Sequence, residues 1–320
     1  MARYVAIRIL SIVPTIVGVA VVVFLLVRLL PGTVVNEILG AQFDVTKAQI
    51  DSLKHYFGLD IPVYVQFFNW AHQLLSGNLG TSWRTGQPVA QLIFAALPIT
   101  LELIVLAMAL ATCIGIVLGI VSAVNRPGPL DGLIRVVSLL GLSIPDFWQG
   151  TIVILILSVV FHWLPPANYV SILTHPLVNL EIMIFPALSL TTVLSGNITR
   201  ISRSAMLDVL HQDFMRTARA KGLSRYGVIL KHALRNALIP IMTITGLQVG
   251  YLLGGAVLIE QVFSLPGIGR LLIWAIYGRD YPLVQGTVLV MAMFFILVNL
   301  AVDLLYAVAD PRVKFRMSGA

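Results

Sequence analysis

The stretch DFMRTARAKGLSRYGVILKHALRNALIP, residues 213–240, lies between two long apolar runs and decides how this chain is organised. Basic residues are frequent in it, Gly222 interrupts it, and Ser224 follows two positions later. Phe214–Lys221 is long enough for about two helical turns, with Asp213 as the expected N-cap and Gly222 as the left-handed terminator. Ser224 is then placed to cap a second helix. The pattern predicts a helix–bend–helix elbow with a basic exposed face and an apolar underside.

The composition places this elbow in a membrane protein. Of the 320 residues, 58% are hydrophobic and 11% are charged, whereas soluble domains usually carry about 25% charged residues. Several apolar runs reach the ~20 residues that a helix needs to cross a hydrocarbon core. The sequence lacks the alternating ~10-residue strands of a closed barrel. We therefore expect an all-α integral membrane protein with six transmembrane helices, near residues 9–30, 98–124, 133–161, 182–204, 237–260 and 283–308.

The basic residues predict the orientation of these helices, because Lys and Arg are enriched in cytoplasmic segments. With the N-terminus in the cytoplasm, six of the 21 basic residues lie on the outer side and 15 on the inner side. The outer six are Arg28, Lys47, Lys54, Arg84, Arg270 and Arg279. Both termini are then cytoplasmic, and the first apolar run is too long for a cleaved signal peptide. The positive-inside bias explains the net charge of +7 without a nucleic-acid partner.

The predicted organisation has one long excursion from the membrane between the first two helices. Within it, residues 61–75 space their apolar residues as a short helix does, either as an aromatic-anchored interfacial helix or as a docking surface for an external partner. The expected parts are residues 1–30 as N-terminal tail and first helix, 31–97 as extracytoplasmic subdomain, 98–308 as transmembrane core with the elbow at 205–236, and 309–320 as cytoplasmic tail.

Small residues recur every four positions on two predicted transmembrane helices. Such stripes allow close helix packing in lipid, either within the chain or at a dimer seam, and packing within the chain is the simpler interpretation. The stripes are Ala107, Ala111, Gly115 and Gly119 on the second helix, and Gly246, Gly250 and Gly254 on the fifth.

The sequence contains no ATP-hydrolysing motif of the usual kind. A P-loop requires GxxxxGK followed by Ser or Thr, and the residues that follow the five lysines are Ala, His, Gly, His and Phe. The HExxH and GxSxG patterns are also missing, so we expect neither a metal site nor a catalytic residue, and no cofactor. Energy must come from a partner or from an ion gradient.

A gradient-driven mechanism would require acidic residues inside the membrane, and three are candidates: Glu102, Asp146 and Asp303. Pro145 should kink the third helix. If that helix starts at residue 133, Asp146 lies about 20 Å along it, near mid-bilayer. If Pro145 instead marks entry from the inner surface, the carboxylate is hydrated. Both alternatives remain open, and Asp146 joins Ser143, Gln248 and Asn299 as candidate residues of a translocation pathway.

The elbow resembles the cytoplasmic EAA loop of ABC-importer permeases. Ala218 stands at the second alanine of that motif, Gly222 at its glycine and Leu234 at its later leucine. Arg216 and Thr217 depart from the usual Glu and Ala. These departures are similar to the dipeptide, oligopeptide and nickel branch, where RTARAKGL and HALRNALIP occur almost unchanged.

Motifs along nearly the whole chain resemble the same branch. They are LPG (30–32), FGLD (57–60), GNLGTSW (77–83), LPITLEL (97–103), GLSIPDFW (141–148), IEQVFSLPGIGR (259–270) and RDYPLVQG (279–286). Thr33 stands where that branch often has Asp.

The resemblance implies a non-hydrolytic permease subunit of the bacterial inner membrane. A second homologous permease would complete the pathway, two ATP-binding subunits would hold ATP and magnesium, and an extracytoplasmic solute-binding protein would deliver dipeptides or oligopeptides. The residues that it implies for ATPase coupling are Asp213, Arg216, Thr217, Ala218, Ala220, Gly222 and Leu223.

Two alternatives remain at the level of sequence. Within the family, the cargo is nickel or another small solute. From a different class, the chain is a gradient-driven secondary transporter or channel, whose basic elbow binds anionic membrane lipid instead of an ATPase.

Overall fold

The computed structural model describes the backbone of residues 2–29, 35, 47–56, 58–166 and 168–309, with side chains over 10–302 of these ranges except Gln49. Its regular elements are helices, which confirms the all-α expectation. They are α1 (Ala2–Leu29), α2 (Lys47–Tyr56), α3 (Val63–Leu75), α4 (Val89–Val124), α5 (Pro129–Ser143), α6 (Asp146–Val159), α7 (Pro176–Leu210), α8 (Asp213–Ala220), a π-helix (Gly227–Leu234), α9 (Arg235–Val262), α10 (Ile268–Tyr277) and α11 (Tyr281–Ala309).

Parts of the predicted organisation fall outside the described residues. They are most of residues 30–46, at the start of the expected extracytoplasmic subdomain, and residues 310–320 of the expected tail. The side chain of Asp303, one of the three acidic candidates, also lies outside them.

Five helical segments of the described chain are long and apolar enough to cross a membrane. They are α1, α4, α7, the π-helix joined to α9, and α11. The pair formed by α5 and α6 makes a sixth span if it is counted as one. The expected six spans therefore correspond to the upper of the two counts.

The third predicted span is broken rather than kinked. The α5 helix ends at Ser143, α6 begins at Asp146, and their axes differ by 100°. Ile144, which precedes Pro145, has an extended backbone at φ −100° and ψ 126°, as steric clash with a proline ring demands. Gln149 then satisfies carbonyl groups at the break, because its Nε2 donates to the oxygens of Gly141 and Ile144 at 3.2 and 2.8 Å. The bend that the sequence predicts at Pro145 is therefore present, and it is a break between two helices rather than a kink within one.

The described chain divides into two compact units. The first is built mainly on Ile99–Leu265 and the second on Ala6–Pro98 with Pro266–Phe294. In the first unit, α7 packs against α5, α6 and α9. Seventeen of its residues are buried, so this helix forms the centre of that unit.

The small-residue stripe of α4 packs against α7 within the chain. Ala107 and Ala111 are fully buried. A side chain on Gly115 would overlap the Cβ of Ile198 at 2.6 Å. One on Gly119 would overlap Ser202 and lie 3.0 Å from a backbone nitrogen. Packing within the chain is therefore confirmed for this stripe.

The stripe of α9 also packs within the first unit, over two of its three glycines. Gly246 lies against the side chain of Val302, and Gly250 lies against the ring of Phe295. Gly254 has open space where a Cβ would be. Two positions are thus packing contacts on α11, and the third is not.

A buried ion pair joins three helices of the first unit. Arg203 of α7 donates from Nε to Asp131 Oδ1 at 2.7 Å and from Nη2 to Oδ2 at 2.8 Å. Ser122 of α4 donates to the same Oδ1 at 2.5 Å. The side chains of Arg203 and Asp131 are 20% and 6% exposed. Two parallel hydrogen bonds between planar groups fix both the distance and the orientation of the two helices.

The second unit is organised around Asp280, which is fully buried. Its carboxylate accepts hydrogen bonds from Ser82 Oγ at 2.5 Å and from the backbone of Trp83 at 3.2 Å. It also accepts from the backbone of Leu283 at 3.3 Å, as an N-cap of α11 does. One carboxylate therefore holds the loop after Gly80 against the start of α11.

The predicted helix over residues 61–75 is present as α3, Val63–Leu75. Phe67 packs edge-to-face on Phe24 of α1 and Trp70 packs on it at a tilt, with ring centroids 5.1 and 5.5 Å away. Tyr64 and Phe68 are each 67% exposed. Its exposed aromatic face fits either an interfacial anchor or a docking surface, and both interpretations remain predictions.

Replacing Asp131 by Asn should destabilise the first unit. The substitution leaves the Arg203 guanidinium mostly buried without its counter-charge, at a cost on the order of 3 kcal/mol. Thermal unfolding of the purified protein in detergent measures the effect. The matched control is Arg200→Gln, on an exposed position of the same helix, which should leave the midpoint unchanged.

The double variant Asp131→Asn/Arg203→Gln should recover part of that loss, because it leaves no unpaired charge. An Asp131→Asn protein that unfolds at the wild-type temperature would show that the pair does not hold these helices together.

Candidate functional site

The elbow begins immediately after α7. The N-cap of α8 is Gln212, with an extended backbone at φ −75° and ψ 151°. Asp213 is the first helical residue and its side chain makes no capping hydrogen bond. The expectation that Asp213 caps the helix was therefore wrong by one residue. Its carboxylate instead lies 3.7 Å from Arg216 on the exposed face and complements the helix dipole from the first turn.

The bend of the elbow is at Gly222, as the sequence predicts. Its φ is +77°, and no other atom lies within 4 Å of the position of a Cβ. The constraint on this residue is thus the backbone conformation itself, which side chains disfavour by ~1–2 kcal/mol. Ser224 Oγ accepts a hydrogen bond from the backbone of Gly227 at 3.2 Å, so the predicted cap at Ser224 is confirmed.

The second arm of the elbow differs from expectation in its helix type. Gly227–Leu234 forms a π-helix, and α9 continues from Arg235 without a break. Pro240 lies inside α9. A proline cannot donate to the carbonyl four residues before it, and a wider turn upstream is one way to accommodate the freed groups. The result is one continuous helical segment over Gly227–Val262.

The elbow has one buried face and one exposed face. Met215 is fully buried and Ala218 is 7% exposed, on the side of α8 that packs against the π-helix. Val228 of the π-helix is also buried. The other predicted coupling residues are exposed, namely Asp213, Arg216, Thr217, Ala220, Gly222 and Leu223. Ala218 therefore supports the elbow from within, and the remaining six are open to a partner.

The exposed face of the elbow is cationic, as predicted. Arg216, Arg219, Lys221 and Arg225 are all exposed, and Asp213 is the acid among them. A cavity of about 380 Å³ lies beside this face, lined by apolar residues of the elbow and by the ends of α4 and α7, with two of these arginines at its wall. The elbow thus offers positive charge on a surface that is not fully packed against its own chain.

Asp146 lies at the break between α5 and α6 and contacts α9. It is 5% exposed, and its Oδ1 accepts from the backbone of Phe147 at 2.8 Å. The Tyr251 hydroxyl points at its Oδ2 from 3.4 Å. A Cβ on Gly255 would lie 2.8 Å from the same oxygen. The glycine therefore lets α9 approach the carboxylate.

The other predicted pathway residues are not joined to Asp146 by such contacts. Ser143 is exposed and donates to the carbonyl of Leu139 at 2.8 Å, which closes its hydrogen bond within α5. Gln248 is 8% exposed, and its Nε2 has no acceptor over the described residues. Asn299 is half-buried on α11. A shared pathway lined by all four remains a prediction.

Several polar pairs were not predicted from the sequence. In the first unit these include Arg203 with Asp131 and Thr100 with Glu260, at 2.7 and 2.5 Å. Their charged residues lie close to or within apolar runs. This position was the available signal for a pair, because charged groups in a membrane need partners. Asp280, before Tyr-Pro, carries the local signature of an N-cap.

Glu102, one of the acidic candidates, is paired with a loop residue. Tyr169 donates to Glu102 Oε2 at 2.6 Å. Burial and this hydrogen bond raise the pKa of Tyr169 to about 12, so its phenol remains a donor at neutral pH. The carboxylate thereby holds the loop between α6 and α7.

Comparison with known sequences and structures gives consistent results. Residues 115–315 match the binding-protein-dependent transport system inner membrane component family, and residues 1–104 match the N-terminal domain of such membrane components. The inward-facing MetNI methionine ABC transporter has a chain of the same fold, with a TM-score of 0.57 at 17% identity, covering 69% of this chain and 97% of that one.

Full-length relatives are more similar. The di/tripeptide transport system permease protein DppB of Pseudomonas aeruginosa is 41% identical, over 98% of this chain and 99% of that protein. The glutathione transport system permease protein GsiC of Salmonella typhimurium is also 41% identical, over 99% and 100%. With its apolar helices, the chain therefore belongs to the binding-protein-dependent transport system inner membrane component family, as a multi-pass permease of the bacterial inner membrane.

Proposed function

We propose that this chain is the permease subunit of an ABC importer for dipeptides and oligopeptides. The observation that carries the proposal is the elbow. It presents a cationic face and bends at Gly222, whose φ is positive. The names of the full-length relatives, which refer to di/tripeptide and glutathione transport, favour a peptide cargo.

In this proposal the elbow and both termini face the cytoplasm, and the segment between α1 and α4 faces outward. A second, homologous permease completes the translocation pathway. Two ATP-binding subunits bind ATP and magnesium, and a solute-binding protein delivers the peptide from outside. The chain itself then needs no cofactor and does no hydrolysis.

The contacts of the first unit support a route from the elbow to the transmembrane helices. The α8 helix packs on the π-helix, and the π-helix runs directly into α9. In turn α9 packs against α6 and α7 and reaches Asp146 through Tyr251. A force applied to the exposed face of α8 would therefore be transmitted along α9 to the break between α5 and α6.

Uptake by reconstituted proteoliposomes tests this function. We expect a radiolabelled tripeptide to enter only when the second permease, the ATP-binding subunits, the solute-binding protein and ATP are all present. Vanadate should abolish uptake. Uptake by the purified chain alone, driven by a proton or sodium gradient, would instead establish the secondary transporter.

Replacing Gly222 by Val should uncouple ATP hydrolysis from transport. A β-branched residue strains the left-handed conformation, so the two arms of the elbow no longer meet at the same angle. We expect the ratio of peptide transported to ATP hydrolysed to fall about tenfold. Gly222→Asn is the matched control, because Asn tolerates this region better. Wild-type coupling in an assembled Gly222→Val complex would exclude the elbow as a lever.

Ala218 and Ala220 are two residues apart on α8, one buried and the other exposed. Introducing Glu at either position should weaken co-purification of the ATP-binding subunits. Only Ala218→Glu should also lower the unfolding temperature, because it buries a charge against the π-helix. An Ala220→Glu protein that retains these subunits at wild-type stoichiometry would remove this face from the interface.

A further inference from the structure

A cavity of about 730 Å³ lies within the second unit. This volume falls in the range of about 300–1,000 Å³ that is typical of small-molecule sites. Its walls come from the end of α1, from α3, from the loop after Asn78 and from the start of α11. None of the described residues that line it is acidic.

Arg28 supplies positive charge to this cavity. Its Nε and Nη2 donate to Gln66 Oε1 at 3.0 and 2.8 Å, and its Nη1 donates to the carbonyl of Phe24 at 3.2 Å. A guanidinium has five N–H donors, so two have no acceptor among the described residues after these three bonds. Gln66 is held in turn, because its Nε2 donates to the carbonyl of Ile61 at 2.8 Å. The guanidinium is thus held in place, and two of its N–H groups have no acceptor in the described part of the chain.

Gln285 of α11 is a second donor that lacks an acceptor. It lines the cavity and is 4% exposed, yet its Nε2 makes no hydrogen bond over the described residues. This nitrogen is itself shielded from solvent, so the side chain must turn toward the cavity to reach a ligand. Leaving a buried polar group unpaired costs free energy, which favours that turn when a ligand supplies the acceptor.

The remaining lining combines aromatic surface with carboxamides. Trp83 and Tyr281 pack together with ring centroids 5.1 Å apart, and Trp70 of α3 also lines the cavity. Exposed Asn69 and Gln73 stand at the mouth. Carboxamides both donate and accept, as a peptide bond does, and aromatic faces contact apolar side chains.

The acid near this cavity is already paired. Asp60 Oδ2 lies 2.7 Å from Nδ1 of His55, which lines the cavity. This hydrogen bond raises the pKa of His55 and lowers that of Asp60. Asp60 is therefore already hydrogen-bonded, and Arg28 lines the cavity with a permanent positive charge.

We propose that this cavity binds a short free peptide by its C-terminal carboxylate. Arg28 and Gln285 donate to the carboxylate, the carboxamides at the mouth pair with the peptide groups, and the aromatic walls contact the side chains. The inference rests on the proposed function in naming a peptide as the ligand. It adds a binding site on the proposed outward-facing side.

Equilibrium binding to the assembled transporter in nanodiscs, without the solute-binding protein, tests the site. The probe is radiolabelled Ala-Ala-Ala, compared with its C-terminal amide. We expect wild type to prefer the carboxylate form, and Gln285→Leu to bind the tripeptide about tenfold more weakly or worse. Thermal unfolding should show Gln285→Leu at least as stable as wild type, because the substitution removes an unpaired buried donor.

Thr287→Val is the matched control. Thr287 is fully buried on the same helix, its hydroxyl also lacks a partner over the described residues, and it does not line the cavity. Its substitution should leave tripeptide binding unchanged. Asn69→Asp, at the exposed mouth, is a second test that cannot act by unfolding the core, and it should weaken binding through repulsion of the carboxylate.

The inference would be overturned by wild type that does not bind the tripeptide, by equal binding of the amide, or by wild-type affinity in both Gln285→Leu and Asn69→Asp. The outcome is separable from that of the proposed function. Carboxylate-dependent binding without ATP-driven uptake would support the binding site and refute the proposed function. ATP-driven uptake with binding that is insensitive to these variants would do the reverse.

Discussion

A charge buried among apolar helices must have a partner, and the pairing of Arg203 with Asp131 is where this chain meets that constraint most directly. Two hydrogen bonds of 2.7 and 2.8 Å link α7 to α5, and Ser122 adds α4 to the same carboxylate. Because α7 packs against α5, α6 and α9, fixing its position fixes the frame of the first unit. Because removing the two ions from water costs free energy, only a well-aligned pair offsets that cost, and other arrangements of these helices are disfavoured.

The elbow starts a few residues beyond that pair, and its connections are of a different kind. It follows the end of α7, turns at Gly222 and rests on the π-helix. Its exposed face carries charge, its buried face is small and apolar, and a cavity lies beside it. The apolar contacts of the elbow are not directional, whereas the two parallel hydrogen bonds of the Arg203–Asp131 pair fix its geometry. The first unit therefore holds α7 to α5 by a charged pair and holds α8 to the π-helix by apolar packing.

Local features could be predicted from the sequence, and features that depend on tertiary contacts could not. The positive φ of Gly222 follows from its place between two helical patterns. The size of the bend at Pro145 was underestimated from the sequence. Gln149 satisfies the carbonyls that are freed there, and it can reach them only because the chain bends. The partner of Arg203 lies 72 residues away, and no spacing rule connects them. Likewise, only the packing of α8 on the π-helix shows that Ala218 is the buried member of the predicted coupling set.

The acidic residues of the first unit bear on the choice between an ATP-driven and a gradient-driven transporter. Four of them are held by a donor from another segment: Asp131 by Arg203, Glu102 by Tyr169, Asp146 by Tyr251 and Glu260 by Thr100. A proton relay needs carboxylates that hand the proton from one to the next. These four hydrogen bonds lead to hydroxyl or guanidinium groups and not to another carboxylate. Such contacts position helices and loops, and the proposed function assigns the energy for transport to partner subunits.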